Sequence, residues 1–115
     1  MPVLVAVRDL LFRSKITAAA DRLGVPVRLA PRGVPLSEAA KELGGGAALV
    51  DLGEAGVLDE LRRIKAAGGA IRVIGFLGHL ETDLAAAARE AGADEVLSRG
   101  ELAGRLDDVL RGAAG

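Results

Sequence analysis

Cysteine is absent from this chain, as are tryptophan, tyrosine, asparagine and glutamine, and histidine occurs once, at His79. Without thiols there can be no disulfides, iron–sulfur clusters or thiolate zinc sites, and a single imidazole leaves metal binding to carboxylates. Phe12 and Phe76 are the only aromatics, which removes the stacking platforms of single-strand nucleic-acid binders. An excess of one charge is lacking too. Fifteen basic and 16 acidic residues are interspersed for a net charge of −1, which gives neither a nucleic-acid footprint nor a membrane-attracting patch. The start, Met-Pro-Val-Leu-Val-Ala-Val and then Arg8 and Asp9, lacks the basic opening and long apolar core of a signal peptide, so a cytoplasmic protein is expected. Nothing points to a redox cofactor, and none is expected.

What is present is apolar and periodic. Half of the 115 residues are hydrophobic, enough for one core, and a single domain over residues 1–115 is expected. Val3 to Val7 reads as a buried strand, and Phe12, Ile16, Ala19, Ala20 and Leu23 recur at helical spacing before Gly24. Val25 to Ala30 reads as a second strand, followed by a helix from about Ser37 with Leu36, Ala39, Ala40 and Leu43 inward. Gly44, Gly45 and Gly46 look like a phosphate cradle but precede a strand, whereas phosphate loops follow one and open a helix. They are read as a connection. Ala47 to Gly53 is a third strand running into Asp51. Val57, Leu58, Leu61 and Ile64 mark a third helix ended by Gly68 and Gly69. Ile71 to Leu77 is a fourth strand, Leu80, Leu84, Ala87, Ala88 and Ala91 a fourth helix, and Glu95 to Ser98 a short fifth strand. Leu102, Leu106, Val109 and Leu110 line the last helix.

Five strand-then-helix units imply an α/β three-layer sandwich with a parallel sheet and five helices. Right-handed crossovers favour the order 2-1-3-4-5, with Val5, Val50, Ile74 and Leu97 in the core. That order sets the first and third strands side by side at the switch point, where ligands bind outside the carboxyl ends of strands. Asp9 and Asp51 then share one crevice with Arg8, Leu77, Gly78, Arg99 and Gly100. Asp51 either belongs to a site there or caps the following turn or helix. His79 falls on the rim, either as a titrating group or as an ordinary loop histidine. A small nucleotide- or flavin-binding domain would need a Gly- or hydroxyl-rich loop after the first strand, and Arg-Asp-Leu-Leu-Phe-Arg-Ser is too bulky. An independent enzyme is not expected, because the crevice offers no nucleophile and base pair beyond lone carboxylates.

Val-Ala-Val-Arg-Asp over residues 5–9, Leu-Val-Asp-Leu-Gly over 49–53 and Glu-Ala-Gly-Ala-Asp-Glu-Val-Leu-Ser-Arg-Gly over 90–100 resemble the receiver domain of bacterial two-component response regulators, a flavodoxin-like fold. The resemblance spans the chain. It implies that Asp51 matches the phosphoacceptor and that Arg8 and Asp9 stand at the acidic pair that, with the acceptor, holds Mg²⁺. Arg8 replaces a carboxylate there, so Mg²⁺ on Asp9 and Asp51 is expected to be weak or absent. Arg99 stands at the family's lysine and Gly100 at its following proline. Leu77 replaces the Ser or Thr that binds the phosphoryl group, and Val96 replaces the aromatic that moves with it.

These departures describe a pseudo-receiver, in which the Arg8 guanidinium is expected to pair with Asp51 or Asp9 and take the place of the ion. The function implied is a non-catalytic signalling module that binds a partner signalling protein. The alternative is an atypical receiver phosphorylated on Asp51 in a phosphorelay. A weak homodimer through the fourth helix, fifth strand and fifth helix is the further expectation, because Asp83, Arg89, Glu90, Arg105, Asp108 and Arg111 there carry both signs.

Overall fold

A computed structural model describes residues 2–68, 70–78 and 81–115. Gly69, His79 and Leu80, to which the sequence assigns a helix stop, a rim group and a buried helix position, lie outside the described residues. Five parallel strands, β1 (Val3–Ala6), β2 (Val27–Leu29), β3 (Ala47–Asp51), β4 (Arg72–Leu77) and β5 (Glu95–Ser98), form one sheet in the order β2-β1-β3-β4-β5. The crossovers are α1 (Leu10–Leu23), α2 (Leu36–Leu43), α3 (Val57–Ala66) and α4 (Thr82–Ala91), and the sheet is followed by α5 (Arg99–Gly104) and α6 (Leu106–Ala114).

The expected winding is therefore present, with one correction. Six helices are described where five were expected, because the last one breaks at Arg105, whose backbone leaves helical geometry at φ −122° and ψ 20°. Gly104, a poor helix former, precedes the break. Leu102 and Leu110 on either side of it are fully buried, so the apolar stripe continues across the bend. The Arg22–Asp107 ion pair at 2.6 Å ties the end of α1 to the start of α6.

Strands β1, β3 and β4 are apolar on consecutive residues because both faces are covered. On one face Val3, Val5, Leu49, Ile74, Phe76 and Leu97 meet Phe12, Ile16, Leu102 and Leu110 of α1, α5 and α6. On the other, Leu4, Val50, Val73, Leu77 and Val96 meet Ala39, Leu61, Ile64 and Ala88 of α2, α3 and α4. Val5, Val50, Ile74 and Leu97 are all buried, as expected. The edge strand β2 is shorter than the Val25–Ala30 run, and its Arg28 and Leu29 are exposed.

Gly75 stands in β4 where there is no room for a side chain. A Cβ there would lie 2.7 Å from the Leu52 side chain. Leu52, the residue after Asp51, is buried on the space that this glycine leaves, so the chain leaving β3 is clamped against β4. The Gly44–Gly46 loop enters β3 at the end of the sheet opposite Asp51, where the Gly46 carbonyl accepts the Arg72 N–H at 2.9 Å. It is a connection, as its place before a strand implied. Among the described residues no helix is long and apolar enough to cross a membrane.

Candidate functional site

Asp51 ends β3 and is half-buried. Its Oδ1 accepts the Gly53 N–H at 2.9 Å, the self-turn that aspartate makes with the backbone two residues on. The capping role considered for Asp51 is thus real, and it serves a turn rather than a helix. Only one carboxylate oxygen is used in that way.

Asp9 lies across the crevice, at the end of the turn that leaves β1, and is the N-cap of α1. Oδ1 accepts the Phe12 N–H at 3.1 Å. Oδ2 accepts a hydrogen bond from the Arg99 guanidinium at 2.9 Å. These contacts, the Arg99 hydrogen bond first and the Phe12 N–H second, hold the Asp9 carboxyl below its ordinary pKa of 3.8.

Arg99 is itself fixed from three directions. Ser98 starts α5 with a reciprocal capping box, its hydroxyl accepting the Glu101 N–H at 3.0 Å while the Glu101 carboxylate accepts the Ser98 N–H. That box sets the first turn of the helix and aims Arg99 at the crevice. The guanidinium carbon lies 4.8 Å from the Phe12 ring centroid and 5.7 Å from that of Phe76, within cation–π range. The two rings meet edge to face at 5.2 Å. The chain's only aromatics therefore form the wall against which its crevice cation rests.

Arg8 does not take the part expected of it. Its Nε lies 3.5 Å from Oε2 of Glu54, and its side chain is largely exposed; it pairs with neither Asp51 nor Asp9. The reason is local. Asp9 is drawn onto the start of α1 and toward Arg99, whereas Arg8, one residue earlier, faces the loop between β3 and α3. The cation that meets the Asp9 carboxylate comes from 90 residues away in the chain.

Leu77 and Val96, which the sequence resemblance places at switch positions, are buried in the same apolar cluster under α4. Ser98 is in register with Leu77 and brings a hydroxyl to that strand end, but the hydroxyl is engaged in the α5 cap. Gly78 is exposed with open space about it. Gly100 follows Arg99 through a trans peptide.

On the far side of Asp51 the crevice opens into a cavity of about 620 Å³ between the ends of β1 and β3, the β2–α2 loop and the start of α3. Its apolar lining includes Ala6, Val7, Leu10, Val34, Leu36, Val50 and Val57, and Arg8, Arg13, Arg32, Asp51, Glu54 and Glu60 supply its charges. Glu60 is committed elsewhere: it accepts the Ser37 N–H at 2.9 Å and the Ser37 hydroxyl at 2.8 Å, and it pairs with Arg63. The Ser37 contact in particular lowers its pKa. Glu54, Arg13 and Arg32 are not among the crevice residues that the sequence singles out. The available signal was the pair of leucines, Leu10 and Leu11, standing off the 12-16-19-20-23 stripe of α1.

No protein-family model matches the chain, and no curated protein is similar to it in sequence. Its fold, by contrast, is that of response-regulator receiver domains. The chain is similar to a LuxR-family DNA-binding response regulator from Staphylococcus aureus, with a TM-score of 0.82 at 14% identity over 99% of this chain and 98% of that one. An orphan response regulator of H. pylori gives a TM-score of 0.75 at 19% identity, covering 96% and 97% of the two chains. A response regulator from Thermotoga maritima gives 0.72 at 20%, again over 96% and 97%.

Proposed function

We propose that this chain is a non-catalytic signalling module of receiver type whose phosphorylation switch is degraded and which acts by binding a partner signalling protein. The observation that carries this reading is the Asp9–Arg99 pair at 2.9 Å. Asp9 and Asp51 are the residues that would hold Mg²⁺, and the donor set fits the ion poorly. Both oxygens of Asp9 already accept hydrogen bonds, and among the described residues no three carboxylates or imidazoles converge. An ion demanding near-octahedral oxygen ligands would have to displace Arg99 from Asp9 first. The apolar Leu77 and Val96 add a second reason, since neither can report a charge placed on Asp51.

The alternative, an atypical receiver phosphorylated on Asp51, draws on one observation. Asp51 stands at the carboxyl end of a central strand with one oxygen in a turn and the other without a partner among the described residues. Incubation with Mg²⁺ and a small acyl phosphate, read by intact mass, separates the two. The proposal expects no phosphoryl adduct on wild type beyond that on Asp51→Asn. An adduct that Asp51→Asn abolishes would establish the alternative.

Partner binding is assigned to the face of α4, β5 and the α5–α6 unit, and the same face is proposed to support a weak homodimer. Asp83, Arg89, Glu90, Arg105, Asp108 and Arg111 on it are all exposed. Exposed ion pairs contribute ~0–1 kcal/mol each, and Asp108 already lies 3.6 Å from Arg111 within α6. Sedimentation equilibrium should therefore show a dimer only at low ionic strength and not for Arg105→Glu. A dimer indifferent to salt and to that substitution would place the contact elsewhere.

A further inference from the structure

The cavity beside Asp51 is left unexplained by the reading above. Its volume of about 620 Å³ lies within the range of ligand pockets, which are mostly apolar with a few placed polar groups. It also lies at the switch point of a doubly wound sheet. Two further observations bear on what would fill it. Arg13 is half-buried and Arg32 exposed; both line the cavity, and neither has an ion-pair partner among the described residues. The large hydrophobic side chains that are exposed, Leu10 at 64%, Leu11 at 81%, Leu29 at 46% and Val34 at 41%, gather at the same end of β1, β2 and α1. Leu10 and Val34 belong to the cavity wall itself.

The acids of the cavity are largely satisfied within the protein: Glu54 by Arg8, Glu60 by Ser37 and Arg63, and one oxygen of Asp51 by Gly53. The charges left without an ion pair are the two positive ones of Arg13 and Arg32 and the single negative one of Asp51, so the remainder to be matched is positive. We propose that this cavity binds a small organic anion with an apolar body. The body would cover Leu10 and Val34, and its phosphate, sulfonate or carboxylate would be gripped by the planar donor forks of Arg13 and Arg32. Such a site needs no glycine-rich cradle, because guanidinium groups rather than backbone N–H groups hold the anion. It also does not depend on whether Asp51 takes a phosphoryl group, since neither arginine is hydrogen-bonded or ion-paired to Asp51.

The test uses the fluorescent anion anilinonaphthalene sulfonate, with the neutral N-phenylnaphthylamine as its uncharged counterpart. Saturable binding of the sulfonate is expected, with amide NMR shifts confined to residues 6–13, 30–36 and 50–57. Arg13→Ala/Arg32→Ala should weaken it roughly tenfold or more, the effect of losing a charge-assisted hydrogen bond. The neutral compound should bind correspondingly less well. Both arginines lie outside the core, so the variant should keep the wild-type unfolding transition. Binding that never saturates, shifts elsewhere on the molecule, equal affinity in the double variant or equal affinity for the neutral compound would each overturn the proposal. So would a dimer of the unliganded protein that Leu11→Ser dissolves, which would assign the surface to a second copy.

Discussion

The crevice at the carboxyl ends of the strands has two halves built in opposite ways. On the β1–β5 side Asp9, Arg99, Phe12 and Phe76 close on one another, leaving both Asp9 oxygens satisfied and the guanidinium stacked. On the β1–β2 side Arg13 and Arg32 face a cavity with apolar lips and no partner for either among the described residues. One half holds its carboxylate in an internal ion pair. The other keeps unpaired cations beside open apolar surface. A charged crevice is thus not one uniform unit: its charges are paired on one side and open on the other.

The comparison can be broken most severely at Phe76. It is fully buried and forms the wall for Phe12 and Arg99. Phe76→Ala should cost ~3–5 kcal/mol, a large share of the roughly 5–15 kcal/mol that holds a domain together. Urea denaturation would measure it, and a loss below about 1 kcal/mol would show that the wall is not part of the packed core. Next in size is Gly75→Ala, which forces a methyl group against Leu52 and should cost ~1–3 kcal/mol by overpacking. Leu52→Ala should recover part of that loss when the two are combined, because the two residues share one space. Additive losses would contradict the clamp between β3 and β4.

A smaller effect sharpens the electrostatic half of the comparison. Because Arg99 and the Phe12 N–H hold the Asp9 pKa below 3.8, the pair's contribution is complete above the ordinary carboxylate range. It is lost as the pH falls through the depressed value of the folded state. Carboxyl-carbon NMR should show Asp9 titrating low in the wild type and moving back up in Arg99→Met. An unchanged titration would mean that Arg99 does not hold it.

The fold was largely legible in the sequence because its signals are strong and redundant. The buried runs around Val5, Val50 and Ile74 have no polar alternation, so only a sheet covered on both faces accommodates them, and right-handed crossovers then leave little choice of strand order. The edge strand is shorter than the Val25–Ala30 run: the Val25 N–H is still bonded to the Ala20 carbonyl of α1, although the Ala30 N–H does reach the Val5 carbonyl of β1. The site was legible as a gathering of residues and not as a set of pairs. Arg8 stands next to Asp9 in sequence, yet that adjacency says nothing of direction once Asp9 turns in to cap α1. Arg99 reaches Asp9 past two aromatic rings that no local pattern announces, and the Ser98-x-x-Glu101 capping box marks where its helix starts but not where Arg99 points. Leu10 and Leu11 were visible as leucines off the helical stripe, but their exposure follows only from how α1 lies on the sheet.

The most direct test of the central claim is an amide NMR titration of the wild type with Mg²⁺ and then beryllofluoride, beside the variant Arg8→Asp/Arg99→Lys. The wild type should show no saturating shifts at Asp9, Asp51 and Arg99 at millimolar Mg²⁺ and no response of β4 and β5 to beryllofluoride, whereas the variant should gain affinity for the ion. Saturation of the wild type at millimolar Mg²⁺, with beryllofluoride shifting Leu77 and Val96, would show a working switch and contradict the account.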